Sequence, residues 1–267
     1  MKKLLLTISV LILFFSCTNN NKPKPQDYLS AATNAIDSCH YAQAKLLLDS
    51  VHILFPKQVD QRRLAKYYSD SIVYLEAQRS YRYADSLLSE LLDKKQELTT
   101  AFRHELDTNY EDIGHYILAE LRTVRNTTRC FLQAMVNDDG ETVVKSFYVG
   151  RKLAQEHLTL TSTETNEQIT ARGNSYEFND GSWHSILTFD NRQSNEILNF
   201  VSAHIDNKIQ ITLNDKDYKY FLRDNEKKML QSTYELSILL SDIKRLKQQR
   251  DLTKTQITVW KSKHNNE

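Results

Sequence analysis

With 267 residues, 35 Lys and Arg against 34 Asp and Glu, and a formal charge of +1, the chain has no basic excess of the kind that recruits nucleic acid or an anionic surface. Its 10% aromatic and 26% charged content is that of a globular chain, not a disordered one. Five glycines and three prolines favour long helices and exclude Gly-rich phosphate loops or an all-β fold with many turns.

The N-terminus carries Lys2 and Lys3, then an apolar run over 4–15, then Ser16 and Cys17. The run is about twelve residues, short of the roughly 20 that cross a bilayer as a helix, which marks a cleaved signal. These residues resemble the lipobox of bacterial lipoproteins, where signal peptidase II cleaves before a Cys that is diacylated. The resemblance implies a signal peptide over 1–16, lipid attachment at Cys17 through palmitate-type chains, and a membrane as first partner, since two or more acyl chains hold a protein stably. Thr18 follows Cys17 without the Asp of inner-membrane retention signals, and the next residues lack the acidic cluster of surface-export signals. The expected location is therefore the cell envelope, on the periplasm-facing leaflet of the outer membrane. Removing 1–16 takes away two lysines and no acid, turning +1 into −1. Residues 17–26, with two of the three prolines and no apolar residue after the Cys, read as a lipidated Cys and flexible tether.

Over 27–107 the apolar residues fall at helical spacing: Ala32, Ala35 and Ile36, then Tyr41, Ala44, Leu47, Leu48 and Val51, with Pro56 closing the run. An offset of 40 residues maps Tyr41 onto Tyr81, Ala44 onto Ala84, Leu47 and Leu48 onto Leu87 and Leu88, and Val51 onto Leu91. Alanines facing Tyr and Leu resemble the helical hairpins of tetratricopeptide repeats. A plain antiparallel helical bundle satisfies the same spacing. The last helix of this region is expected to continue through Leu98, Phe102 and Leu106 to about residue 107.

Over 108–222 the period shortens to that of strands, with 108–126 open between strand and helix. Asp138-Asp139-Gly140 between two β-rich runs is a hairpin signal. Further strands are expected over 153–163, 167–178, 183–189 and 208–213, with one amphipathic helix over 194–206. Gly150, Gly173 and Gly181 mark turns or a bulge. This half reads as an antiparallel sheet or small sandwich with one short helix.

Over 223–267, Asp224 is the expected N-cap of a helix that meets no Gly or Pro before the end of the sequence. Leu236, Ile243, Arg250 and Ile257 hold one heptad position, and Leu239, Leu246, Thr253 and Trp260 the other. This coiled-coil-like seam requires a partner, either the long helix before residue 107 or a second copy of the chain. The fold class is therefore α+β: N-terminal antiparallel helical hairpins, a central antiparallel sheet and a long C-terminal helix.

None of the eight histidines stands in an HxxxH or HExxH frame, and GxSxG, Walker A and GxGxxG motifs are absent. Cys39 and Cys130 either pair in an oxidising compartment or lie buried apart. No metal, cofactor or catalytic residue is expected. One cluster combines aromatic faces with hydrogen-bond donors: Tyr148, Arg151, His157, Tyr176, Trp183 and His184, the candidate ligand-binding set. The sequence thus describes a non-catalytic, membrane-tethered interaction or structural protein, with a protein partner or self-association through the C-terminal helix. A glycan or cell-wall-fragment binding module is the alternative.

Overall fold

A computed structural model describes residues 23–106, 113–121, 128–215 and 218–264. Cys17, the signal segment and most of the expected tether lie outside the described residues. The fold is α+β. Its described elements are α1 (Pro25–Asp37), α2 (Tyr41–Leu54), α3 (Val59–Leu98), β1 (Phe102–Glu105), β2 (His115–Leu118), β3 (Phe131–Asn137), β4 (Thr142–Gly150), β5 (His157–Ser162), β6 (Gln168–Arg172), β7 (Asn174–Asn179), β8 (Trp183–Thr188), α4 (Asn191–Ala203), β9 (Ile209–Leu213), β10 (Tyr218–Phe221) and α5 (Asp224–His264). They divide into two compact units, one of residues 1–79 with 255–267 and one of residues 80–254, so each long helix contributes to both.

In the first unit α1 and α2 form a helical hairpin. Pro25 sits at the first helical position, where its missing N–H costs nothing, and the Lys24 N–H donates to the Asp27 carboxylate at 2.7 Å. The helix therefore starts inside the stretch expected to be tether. Leu29, Ala32 and Ala35 of α1 pack with Ala44, Leu48 and Val51 of α2 and with Ala65 and Ile72 of α3. The end of α5 joins this unit, where Trp260 stacks on Tyr74 at 4.1 Å and on His264 at 4.3 Å.

The second half of the 40-residue offset is not a hairpin. Nothing between Lys57 and Leu98 breaks a helix, since the stretch holds no Gly or Pro, and α3 runs unbroken for 40 residues. The matched positions report burial instead: Ala44 and Leu48 lie in the core of the first unit, Ala84 and Leu88 in that of the second. The helix also stops short of residue 107. The Thr99 and Thr100 hydroxyls donate back to the Lys95 and Glu97 carbonyls, both at 2.8 Å. That pair of β-branched residues closes the helix, and Phe102 opens a strand.

The second unit holds two antiparallel sheets, a six-stranded one in the order β1-β2-β3-β4-β8-β7 and a four-stranded one in the order β10-β9-β5-β6. Leu132, Ala134, Val144 and Leu187 of the larger sheet share one core with Leu158, Leu160, Ile209, Ile211 and Leu213 of the smaller. Ile197, Leu198 and Val201 of α4 complete it. The Asp190 side chain caps α4 by accepting from the Gln193 N–H at 2.8 Å. Of the ambiguous stretch 108–126, residues 113–121 are described and hold β2 followed by a short 3-10 turn at Ala119–Leu121, and β10 is a strand not anticipated.

The single strand expected over 167–178 is two. β6 pairs with β5 in the smaller sheet and β7 with β8 in the larger. The chain changes sheet at Gly173, where a Cβ would stand 2.3 Å from the Thr188 carbonyl oxygen. The earlier crossing, from β4 to β5, is pinned by buried Gln155. Its amide donates to the Ser146 and Ser185 carbonyls at 3.0 and 2.7 Å and accepts from the Ser146 hydroxyl at 2.7 Å.

The first turns of α5 are held by charged groups turned inward. Glu226, not Asp224, closes the N-terminus by accepting from the Arg223 N–H at 2.9 Å, and it also pairs with Arg129. Lys227 donates to the Ile205 and Asn207 carbonyls at 2.6 and 2.7 Å. Beyond them the heptad seam is real, and α3 of the same chain covers it. Leu236, Leu239, Ile243 and Leu246 pack with Ala84 and Leu88, and Gln249 donates to Ser80 at 2.8 Å. The seam's Arg250 reaches Asp85 at 3.8 Å.

The expected hairpin closes through an Asn137 carbonyl to Gly140 N–H bond of 3.0 Å. Gly140 has φ of 86°, and a Cβ there would stand 2.6 Å from the Ser241 backbone nitrogen and 2.7 Å from the Ser237 carbonyl oxygen of α5. Lys244 of α5 binds Asp139 of the same turn at 2.8 Å, which holds the Lys244 ammonium above its ordinary value. Gly140→Ala therefore combines backbone strain with a clash against a helix backbone. It is expected to lower unfolding free energy by about 2 kcal/mol or more, read by urea denaturation. A neutral substitution would disprove the close approach of turn and helix.

Candidate functional site

Each residue of a strand points opposite to the next, so the register of β8 decides what faces outward. Trp183, Ser185 and Leu187 turn toward the shared core, and His184, Ile186 and Thr188 turn away from it. The antiparallel register sets Phe178 opposite His184 and Tyr176 opposite Ile186 on one side, and Val149 and Phe147 of β4 opposite the same two residues on the other. Phe131 of β3 pairs with Phe147. One cross-strand row therefore runs Phe131, Phe147, Ile186, Tyr176 over four strands.

The row is closed at one end and open at the other. Phe131 is fully buried and stacks on Phe147 at 4.7 Å with the rings 4° from parallel, while Tyr176 is 65% exposed. In the neighbouring row Phe178, 36% exposed, stacks on His184 at 4.7 Å and 5°. The His184 Nε2 lies 2.9 Å from the Asp180 carboxylate in the turn between the strands, which fixes the ring against Phe178. Gly181 forms that turn with φ of 104°. Among the described residues β7 ends the sheet, and all six of its residues are exposed.

The six residues singled out from sequence are divided by this geometry. Tyr176 and His184 both turn to the open face, each in contact with Phe178. Tyr148 and Trp183 turn the other way. Tyr148 is buried edge-on to Tyr218 at 5.1 Å, and burial pushes its phenol up. The Trp183 indole donates to the Leu153 carbonyl at 2.9 Å and packs against the core, with Lys152 5.4 Å from the ring centre. His157 opens β5 in the smaller sheet, its Nε2 3.0 Å from Asp215. Arg151 is exposed beyond the end of β4. Phe178, Phe147, Ile186 and Asp180 belong to the open face and were not selected. The signal that could have found them is the Asp180-Gly181 turn, since a hairpin closed there sets Phe178 against His184.

The arrangement offers ring faces and a strand edge that is open among the described residues. Among the described residues no group of three His, Cys, Asp or Glu stands close enough to hold a metal. Cys39 and Cys130 are both free, Cys39 exposed and Cys130 half-buried. Burial is the main cause that raises the Cys130 thiol. A shallow groove of about 320 Å³ lies in the first unit, where Val73 and Val259 flank Trp260 and the rim carries Lys66, Asp70 and His264. Lys66 and Asp70 already pair with each other. Among the described residues no helix is long and apolar enough to cross a membrane. The chain matches no family model, no curated protein and no solved structure.

Two outcomes follow from this placement. Trp183→Ala is expected to lower stability by about 2–3 kcal/mol because it empties part of the core, while Tyr176→Ala changes it by no more than about 0.5 kcal/mol. Urea unfolding of both variants decides it, and the reverse order would refute the assignment of faces. At pH 8 iodoacetamide should modify Cys39 well before Cys130. The thiolate is the nucleophile and the Cys130 thiol is raised from 9.0, so its rate should still be climbing above that pH. Equal rates at the two cysteines would contradict the burial.

Proposed function

We propose that the chain is a non-catalytic lipoprotein of the cell envelope, attached through Cys17 to the periplasm-facing leaflet of the outer membrane, that captures a partner along β7. The observation that carries the reading is the combination at one sheet edge of six exposed residues with the ring faces of Tyr176 and Phe178. An unpaired edge offers a row of backbone donors and acceptors, and side chains at alternate positions choose what pairs with it.

The partner this favours is an extended peptide segment. Laid antiparallel on β7, one alternating set of its side chains meets Tyr176 and Phe178 and is apolar. The other set meets Ser175 and Glu177, whose side chains are bonded to each other at 2.7 Å, and is basic or polar. Glu177 occupies the core-facing side of an edge strand, where a charge discourages pairing with an arbitrary apolar strand. The lipid attachment is supported by the N-terminal residues that resemble a lipobox. A second reading, a cell-wall glycan as ligand, is favoured by the open Tyr176 ring, because aromatic faces stack on the apolar faces of sugars.

In cells producing the full chain, Cys17→Ala should move the protein from the membrane to the soluble fraction. A photo-crosslinking amino acid in place of Tyr176 should yield one predominant adduct with an envelope polypeptide, reduced at least about tenfold by Phe178→Ala, as for loss of a central anchor. Unchanged fractionation would overturn the anchor. Absence of a protein adduct, with muropeptides bound by the wild type and not by Tyr176→Ala, would replace the peptide with the glycan.

A further inference from the structure

The two ends of the α1–α2 hairpin differ in chemistry. The turn between the helices is polar, formed by Ser38, Cys39 and His40, with Cys39 at φ of 59°. The other end, where α2 passes into α3, exposes Ile53 by 74%, Leu54 by 54% and Val59 by 61%. Lys57 and Arg63 are exposed beside them, and between residues 53 and 64 three cations stand against one carboxylate, Asp60. Arg62 braces this corner from within, donating to the Pro56 carbonyl at 3.0 Å. The apolar residues are therefore held outward by a defined turn.

The start of α1 lies at this corner. Tyr28, in the first turn of α1, lies edge-on to Phe55 at 5.8 Å, which holds the start of α1 against the end of α2. Lys24 is seven residues after Cys17, a span of at most about 25 Å even when fully extended. Exposed aliphatic side chains with the exposed cations Lys57 and Arg63 near them, within reach of the residue proposed to carry acyl chains, match the headgroup boundary of an anionic leaflet.

We propose that the α2–α3 corner docks on the membrane: Ile53, Leu54 and Val59 enter the interface while Lys57 and Arg63 meet lipid phosphates. The proposal rests on the lipid attachment at Cys17 given above. The polar turn at Cys39 then faces away from the bilayer, because α2 separates the two ends by roughly 20 Å at 1.5 Å per residue.

The test uses the full chain purified from cells that process it and reconstituted into vesicles of phosphatidylethanolamine and phosphatidylglycerol containing nitroxide-labelled lipid. A fluorophore attached through Ile53→Cys, with Cys39→Ser and Cys130→Ser, is compared with one on native Cys39 in Cys130→Ser. The first label should be quenched at least about twofold and the second not at all. Leu54→Asp with Val59→Asp should abolish the quenching and leave the circular dichroism spectrum unchanged, since both residues are exposed. Acyl mass on Cys17 together with an unquenched label at position 53, whether in water or covered by a second copy, overturns the docking. Absence of acyl mass overturns the anchor reading, and the docking with it.

Discussion

The pleat of the six-stranded sheet is the constraint from which the outward-facing site follows. Leu132, Ala134, Val144 and Leu187 must turn toward the four-stranded sheet and α4, because they form the core of that unit. Every intervening residue of those strands is then turned the other way, which commits Phe131, Phe147, Ile186 and Tyr176 to one row. A slip of one residue would exchange the two sets entirely. The register is fixed by groups that tolerate no slip: Gln155 bridges the β4 and β8 backbones, and Gly173 passes against the Thr188 carbonyl. The open face is a by-product of how the core is built, and what distinguishes it is the choice of Tyr and Phe where Thr or Lys would have sufficed.

The long helices obey a different economy. A 40-residue α3 and a 41-residue α5 owe little to intrinsic propensity, since helical stability in a folded chain comes mainly from packing one face. Alanines at 65 and 84 let neighbours approach closely, and the apolar residues of α5 that share a core with α3 in the second unit are four leucines and Ile243. The start of α5 uses buried charge instead. Removing Lys227 would strip the Ile205 and Asn207 carbonyls of a donor, while removing Glu226 would break its pair with Arg129 and leave the Arg223 N–H without its acceptor, so these groups define where the helix begins more than how stable it is.

Much of this architecture was legible as pattern. The α1–α2 hairpin follows from its spacing and from Pro56, the β3–β4 hairpin from Asp139-Gly140, and α4 and the α5 seam from helical and heptad periods. What failed was continuity. The stripe from Leu88 to Leu106 has one period on paper, yet Thr99 and Thr100 end the helix by bonding to its own carbonyls. The stretch over 167–178 has the composition of one strand, but Gly173 lets the chain leave one sheet for the other. The candidate site suffered most, because Trp183 and His184 are neighbours in sequence and belong to opposite faces. Residue type picked out aromatics of this half; only register could say which of them see solvent.

The two proposed surfaces differ in how they can work. As a docking edge β7 would be selective, since backbone pairing demands an extended partner and the Glu177 charge disfavours strands that are apolar on both faces. The α2–α3 corner has no such geometry. Ile53, Leu54 and Val59 stand on a turn with cations around them, which suits a fluid interface that needs depth and charge but no register. A lipid surface rewards an apolar tip of any shape, whereas a protein groove would reward complementary ridges. In the proposed function selectivity resides in the sheet, and the helical corner needs only to be apolar, basic and packed against the start of α1, where Tyr28 meets Phe55.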